Sequence, residues 1–227
     1  PREQERAFVD AYEAQTGKRA WRFYTIPGPG EPGHETWEGD SWQRGGGSIW
    51  LPPTYDAATD TVYFATGNPS PFIDAVRKGD NLFTNSVLAV DRATGKMKWY
   101  YQYVPADAWD FDTMNEHTVL TIKRDGQEIP AIVSFQKPGF VSAIDRRDGK
   151  LLYAKKFTKS VDWAEGIDMR TGRPIERPGT RPVMGGDKIE MCPALLGSRN
   201  WVPSSYNPQT GLVYVSTLDL CMKYGYV

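Results

Sequence analysis

The chain has 227 residues, with 27 Lys and Arg against 28 Asp and Glu and a formal net charge of −1, so it lacks the basic excess that drives phosphate-backbone binding, and nucleic acid is not an expected partner. Eight Trp, twelve Tyr, 22 Gly and 17 Pro favour many short strands joined by turns over long helices. No run of about 18 apolar residues is present to span a bilayer, and "PREQERAFVD" lacks the basic-then-apolar layout of a signal peptide, so any export signal is expected outside this chain.

Taken in chain order, the first predicted element is a hairpin over "AYEAQTGKRAW" at 11–21. The same pattern returns as "AVDRATGKMKWYY" at 89–101 and "AIDRRDGKLLYAK" at 143–155. In each, an alternating strand leads into an acidic residue, Thr or Asp brackets a turn, Gly supplies a positive φ, and a second strand ends in an aromatic. A second hairpin type reads "TYDAATDTVYFATGN" at 54–68 and "SYNPQTGLVYVSTLD" at 205–219. Between them lie two stretches expected to be loop insertions, "PGPGEPGHETWEGDSWQRGGG" at 27–47 and "DMRTGRPIERPGTRPVMGGD" at 168–187. Repeated hairpins with large aromatics at matching positions predict an all-β fold, a β-propeller built from four-stranded antiparallel blades. At about 50 residues per blade, the chain holds roughly four, and a part of a larger propeller is expected because an open set of blades leaves sheet faces uncovered.

Several polar residues follow strand-like runs and so could meet at one mouth of the propeller: Asn68, Asp110 and Asp112, Lys137, and Asn200. Carboxylates with an amide oxygen suit a hard cation such as Ca²⁺ or a larger trivalent ion. On residue type alone, Asp110 and Asp112 read equally as a solvated acidic loop, Lys137 as a surface lysine and Asn68 as a turn initiator. Trp50 follows three glycines, "RGGGSIW", which either pass close to something flat or form a flexible loop beside a core aromatic. Asp107 and Glu116 read as loop charges, and pairing Asp110 with Glu116 as a hydrolase dyad fits the residue types but not the surrounding motifs. Cys192 and Cys221 lack C-x-x-C spacing, which leaves one disulfide or two buried thiols.

With "FVDAYEAQTGKRAWRFYTIPGPGEPG", "GDSWQRGGGSIW", "YFATGNPSP", "AWDFD", "CPALLGSRNW" and "LCM" in register along nearly the whole chain, the sequence resembles the pyrroloquinoline quinone (PQQ)-dependent methanol and ethanol dehydrogenases, eight-bladed propellers. That resemblance implies a partial propeller domain over 1–227 that oxidises a primary alcohol to an aldehyde with PQQ and a metal. It assigns Asp110 as catalytic base, Lys137 as a catalytic and cofactor-contacting cation, Trp50 as the wall on which PQQ stacks, and Asn200 as a cofactor hydrogen-bond partner. Asn68, Asp110, Asp112 and, after a one-position shift in "EQERAFV", Glu3 are the implied metal ligands. An Asp at 112 resembles the lanthanide-using members, with Ca²⁺ the rival ion. The resemblance also implies a Cys192–Cys221 disulfide, periplasmic location, and three partners: a small alcohol, a cytochrome c electron acceptor and a second copy in a homodimer. A different class, a non-enzymatic propeller scaffold with the same repeats, would have no use for Asn68, Asp110, Lys137 and Asn200 together.

Overall fold

The structure, a computed structural model, describes residues 6–226. A hairpin of β1 (Phe8–Tyr12) and β2 (Arg19–Tyr24) opens the fold. Two four-stranded antiparallel sheets follow, each in chain order. The first contains β3 (Thr54–Asp56), β4 (Thr61–Ala65), β5 (Ser86–Asp91) and β6 (Met97–Gln102); the second contains β7 (Thr118–Arg124), β8 (Gln127–Phe135), β9 (Phe140–Asp145) and β10 (Leu151–Lys156). Beyond them, β11 (Ala164–Ile167) pairs with β12 (Pro174–Glu176). Of the last four strands, β13 (Ile189–Met191), β14 (Ser205–Asn207), β15 (Leu212–Tyr214) and β16 (Met222–Tyr224), the inner two form a hairpin and the outer two pair with each other. The fold is all-β with propeller blades: two are complete, β1–β2 corresponds by sequence to the second hairpin of a preceding blade, and β14–β15 to the first hairpin of a following one.

The repeated turn forms for a local reason. In 91–95 the Asp91 carboxylate accepts the Thr94 N–H at 2.9 Å and the Asp91 carbonyl accepts the Gly95 N–H at 2.9 Å, with Gly95 at φ +70°. Asp145 and Gly149 repeat it, the Asp145 carboxylate taking the Arg147 N–H, so the side chain of one residue satisfies backbone donors that the ladder leaves free. The 168–187 stretch, expected as an insertion, is not plain loop: Asp168 and Gly172 close the same turn between β11 and β12. Arg173 grips Asp80 at 2.6 and 2.7 Å, and Arg181 bridges Asp74 and Glu176, which ties that hairpin to the loop after β4.

Blades dock through the repeated aromatics. A Cβ on Gly95 would come within 2.6 Å of the Trp21 ring, whose Nε1–H donates to the Arg92 carbonyl at 2.8 Å. One blade further on, Trp99 sits on Gly149 in the same way and donates to the Arg146 carbonyl at 3.1 Å. Only a residue without a side chain accommodates both the left-handed backbone and the indole at these turns. Strand β5 reads as an unbroken apolar run because both its faces are covered: Leu88 and Val90 join Phe64 and Phe83 toward β1–β2, while Val87 and Ala89 join Tyr63, Ile132, Ile144 and Trp163 toward the next blade.

Cys192 and Cys221 form a disulfide across 29 positions, which settles the two readings left by the sequence. It staples β13 to β16, and by loop-closure entropy it contributes on the order of 3 kcal/mol.

Candidate active site

Strands β4 and β6 run in the same direction within one sheet, so their C-terminal ends release the 66–85 and 103–117 loops at one edge. There the end of β8 delivers Lys137. Its Nζ lies 3.1 Å from the Asp112 carboxylate and 3.5 Å from that of Asp110, and donates to the Asp110 carbonyl at 2.5 Å. The other Asp112 oxygen accepts the Asn68 N–H at 3.0 Å. Four of the residues singled out in the sequence, Asn68, Asp110, Asp112 and Lys137, therefore meet in one cluster.

Trp50 joins them through the glycine triplet. Gly47 N–H donates to the Asn68 carbonyl at 3.0 Å, Ser70 N–H to the Gly45 carbonyl at 2.9 Å, and Gly67 N–H to the Ser48 carbonyl at 3.0 Å. A Cβ on Gly46 would stand 2.5 Å from the Asn68 carbonyl oxygen, so the triplet is there to bring two backbones together. The result lays the Trp50 ring over Gly67, where a Cβ would meet it at 2.7 Å and Asp112 Oδ1 at 2.9 Å. Trp50 is 50% exposed, leaving part of its surface open beside the carboxylates.

Lys137 is buried, whereas the Asp110 side chain keeps 28% of its surface in solvent. Burial pushes the Asp110 carboxyl up to about 6; the Lys137 ammonium pulls against this, and the charges of Asp112 and Asp107 reinforce it. Asp110 has φ +63°, an uncommon conformation for a residue with a side chain. Beneath it, Trp109, Phe111 and Trp163 form a buried cluster with centroids 4.9–5.6 Å apart, and Trp109 Nε1–H donates to the Thr180 carbonyl at 2.7 Å.

Asn200 lies two residues beyond Ser198, whose N–H donates to the Lys137 carbonyl at 2.9 Å. Its carboxamide is engaged within its own loop, donating to the Leu196 carbonyl at 3.0 Å and accepting the Trp201 N–H at 2.9 Å. Glu3 falls outside the described residues. Among the described residues, no group of three or more His, Cys, Asp or Glu side chains is placed to hold a metal; the cluster offers the Asp110 and Asp112 carboxylates, and Asn68 joins it through its main-chain N–H while its carboxamide donates to the Pro69 carbonyl at 3.1 Å.

Two residues read as loop charges have defined work. Asp107 is fully buried, and its carboxylate accepts the Trp109 N–H at 2.9 Å, the Phe111 N–H at 2.8 Å and the Asn85 amide at 2.9 Å. Burial pushes its carboxyl above the usual range against those donors. Glu116 bonds Arg199 at 2.6 Å and the Ser204 N–H at 2.6 Å; burial raises its carboxyl, but these partners outweigh it and hold it below the ordinary range. The Asp-x-Trp spacing at 107–109 carried a signal for the first, since Asp side chains bond the backbone two residues on.

A family model described as the PQQ glucose/ethanol/alcohol dehydrogenase β-propeller domain matches residues 1–159. The chain belongs to that family. Among relatives, it is 44% identical over 224 residues to the quinohemoprotein alcohol dehydrogenase ADH IIB of Pseudomonas putida, covering 92% of this chain and 32% of that protein. It is 36% identical to a lanthanide-dependent methanol dehydrogenase of Methylorubrum extorquens, covering 95% of this chain and 40% of that protein. A solved europium-containing methanol dehydrogenase superposes with a TM-score of 0.91 at 35% identity, over 96% of this chain and 41% of that one. The chain thus spans 32% to 41% of the length of these family members.

Proposed function

We propose that residues 1–227 form part of a PQQ-dehydrogenase-type propeller domain and that the protein oxidises a primary alcohol to the aldehyde, using PQQ and a bound lanthanide or Ca²⁺. The observation that carries this reading is the meeting of an open indole face, a carboxyl raised toward neutrality and a buried lysine at one edge of the blades. The donor set fits the metal: Asp110, Asp112 and the Asn68 carboxamide offer oxygen only, as hard cations require. The half-exposed Trp50 fits a planar cofactor, for which an indole supplies a flat apolar wall.

Trp50 would seat the quinone and Asn68, Asp110 and Asp112 the cation; bound there, PQQ would supply a hydride acceptor and the cation Lewis-acid stabilisation of negative charge. Asp110 takes the hydroxyl proton: a carboxylate partly desolvated and raised to about 6 is a stronger base than an exposed one and remains ionised at neutral pH. Lys137 holds Asp110 through its carbonyl and presents a fixed positive charge beside it. The Asp112 carboxylate adds an anion next to Asn68, and each added anionic oxygen favours a trivalent over a divalent ion by Coulomb attraction. Asn200 contacts the cofactor from the loop behind Lys137. Electrons pass to a cytochrome c in the periplasm, a compartment in which the Cys192–Cys221 bond persists, and the protein pairs as a homodimer.

The test is reconstitution of the whole protein with PQQ and either La³⁺ or Ca²⁺, followed by reduction of an artificial dye with ethanol. Dye reduction with at least one metal is expected; none with either metal across short primary alcohols overturns the reading.

A further inference from the structure

Two buried polar residues outside the cluster connect its halves. Asn85 is fully buried at φ +48°. Its N–H donates to the Gly67 carbonyl at 2.9 Å, directly under Trp50 and one residue before Asn68, and its carbonyl accepts the Tyr103 N–H at 2.8 Å. The side chain reaches across to Asp107. Asp107 in turn clamps the N–H groups of Trp109 and Phe111, the residues on either side of Asp110. Behind it, the fully buried Arg77 guanidinium donates to the Asp107 and Pro71 carbonyls and to the Asn81 carboxamide, so the clamp is braced on its main chain as well.

We infer that the Asn85–Asp107 pair is a positioning device, fixing the left-handed Asp110 backbone relative to the Gly67–Asn68 segment so that the ligands from the two loops keep one spacing. The inference rests on the metal-site reading above. A carboxylate that accepts two peptide N–H groups flanking a residue at positive φ removes the freedom by which that residue would relax to an extended conformation. Its side-chain link to Asn85 adds a buried tie behind the direct Asn68–Asp112 contact, so the spacing of Asn68 and Asp110 depends in part on the pair. Asn85 Oδ1 is buried with no partner, a cost that a residue present only for packing would not need to carry. Ligand groups must be held within a fraction of an ångström for a site of this kind to function, and that support comes from residues behind the ligands.

Asn85→Gly is the clean probe, because glycine adopts φ +48° freely, keeps the backbone bonds to Gly67 and Tyr103, and deletes only the side-chain link. The readout is Tb³⁺ binding to the full-length protein, followed by indole-sensitised luminescence and by the luminescence lifetime, which shortens when water replaces a protein ligand. Asn85→Gly is expected to weaken Tb³⁺ binding at least tenfold and to shorten the lifetime, while the melting temperature changes little. Asp107→Asn, which keeps the shape but turns one acceptor into a donor, is expected to do the same. Affinity within twofold of wild type and an unchanged lifetime in either folded variant overturn the inference, as does failure of both variants to fold, which makes the pair a stability element. Absence of Tb³⁺ binding by the wild type instead overturns the metal-site reading, and this inference with it.

Discussion

Trp99 and Trp50 each rest on a glycine, Gly149 and Gly67, at a closest approach of 2.7 Å from a would-be Cβ, yet they serve opposite ends. Trp99 is partly buried against the next blade and anchors its Nε1–H on the Arg146 carbonyl, so the indole closes a seam. Trp50 is half exposed and borders Asp112, so the same indole-on-glycine unit presents a wall. The difference lies in what borders the ring: the repeated turn of the neighbouring blade, which takes its N–H, in one case, and the Asp112 carboxylate in the other. On the proposed function, an indole-on-glycine unit left open with charge beside it serves as the cofactor seat.

The largest expected effect separates the charged seat from the sealed one. Asp110→Asn should lower kcat in the reconstituted whole protein by 10²–10⁴-fold, the range for loss of a general base, with circular dichroism unchanged. Trp99→Ala should cost about 3 kcal/mol through a cavity at the seam, read as a lowered denaturant midpoint. Trp50→Ala should cost under about 1 kcal/mol because its ring is already half in solvent, but weaken PQQ binding at least tenfold by fluorescence titration. Equal stability losses for the two tryptophans would erase the contrast.

The charged seat also carries a pH signature that the sealed one lacks. In the metal-free protein the folded-state value of Asp110, about 6, lies above its unfolded value of about 4. The folded state therefore holds more protons between these values, and this group's contribution to stability falls as pH rises from about 4 to 6. Discounted for the solvent reaching its side chain, the loss is no more than about 2 kcal/mol, measured as the difference between wild type and Asp110→Asn in denaturant titrations across that window. A constant difference would show that Asp110 is not raised. The smallest effect concerns ion choice: Asp112→Ala should weaken La³⁺-dependent activity several-fold more than Ca²⁺-dependent activity, and equal losses would remove Asp112 as the selecting group.

The blades were legible because their turns are local. Asp, Thr and Gly within five residues carry the whole hydrogen-bond pattern of 91–95 and its counterparts, and alternation places the strands. The 164–176 hairpin was hidden because its Asp168 and Gly172 sit in a stretch whose Arg, Pro and Gly content reads as loop. The contacts between blades were not legible: Trp21 and its acceptor Arg92 are 71 positions apart, and nothing near Trp21 indicates which turn it meets. In the site, Asn68, Asp110, Asp112 and Lys137 stood out as polar residues after strand-like runs, and the resemblance supplied their roles. Asn85 and Asp107 escaped because their importance is tertiary: one links a loop after β4 to a loop after β6, and the other acts on the backbone around Asp110.

The central claim, that the face of Trp50 beside Asn68, Asp110, Asp112 and Lys137 is a cofactor seat, is tested most directly by determining the structure of the whole protein with PQQ and La³⁺. The account predicts the quinone ring stacked on Trp50 and the ion within about 2.3–2.6 Å of oxygens from Asn68, Asp110 and Asp112. A ring bound elsewhere, or an ion held without these three residues, would contradict it.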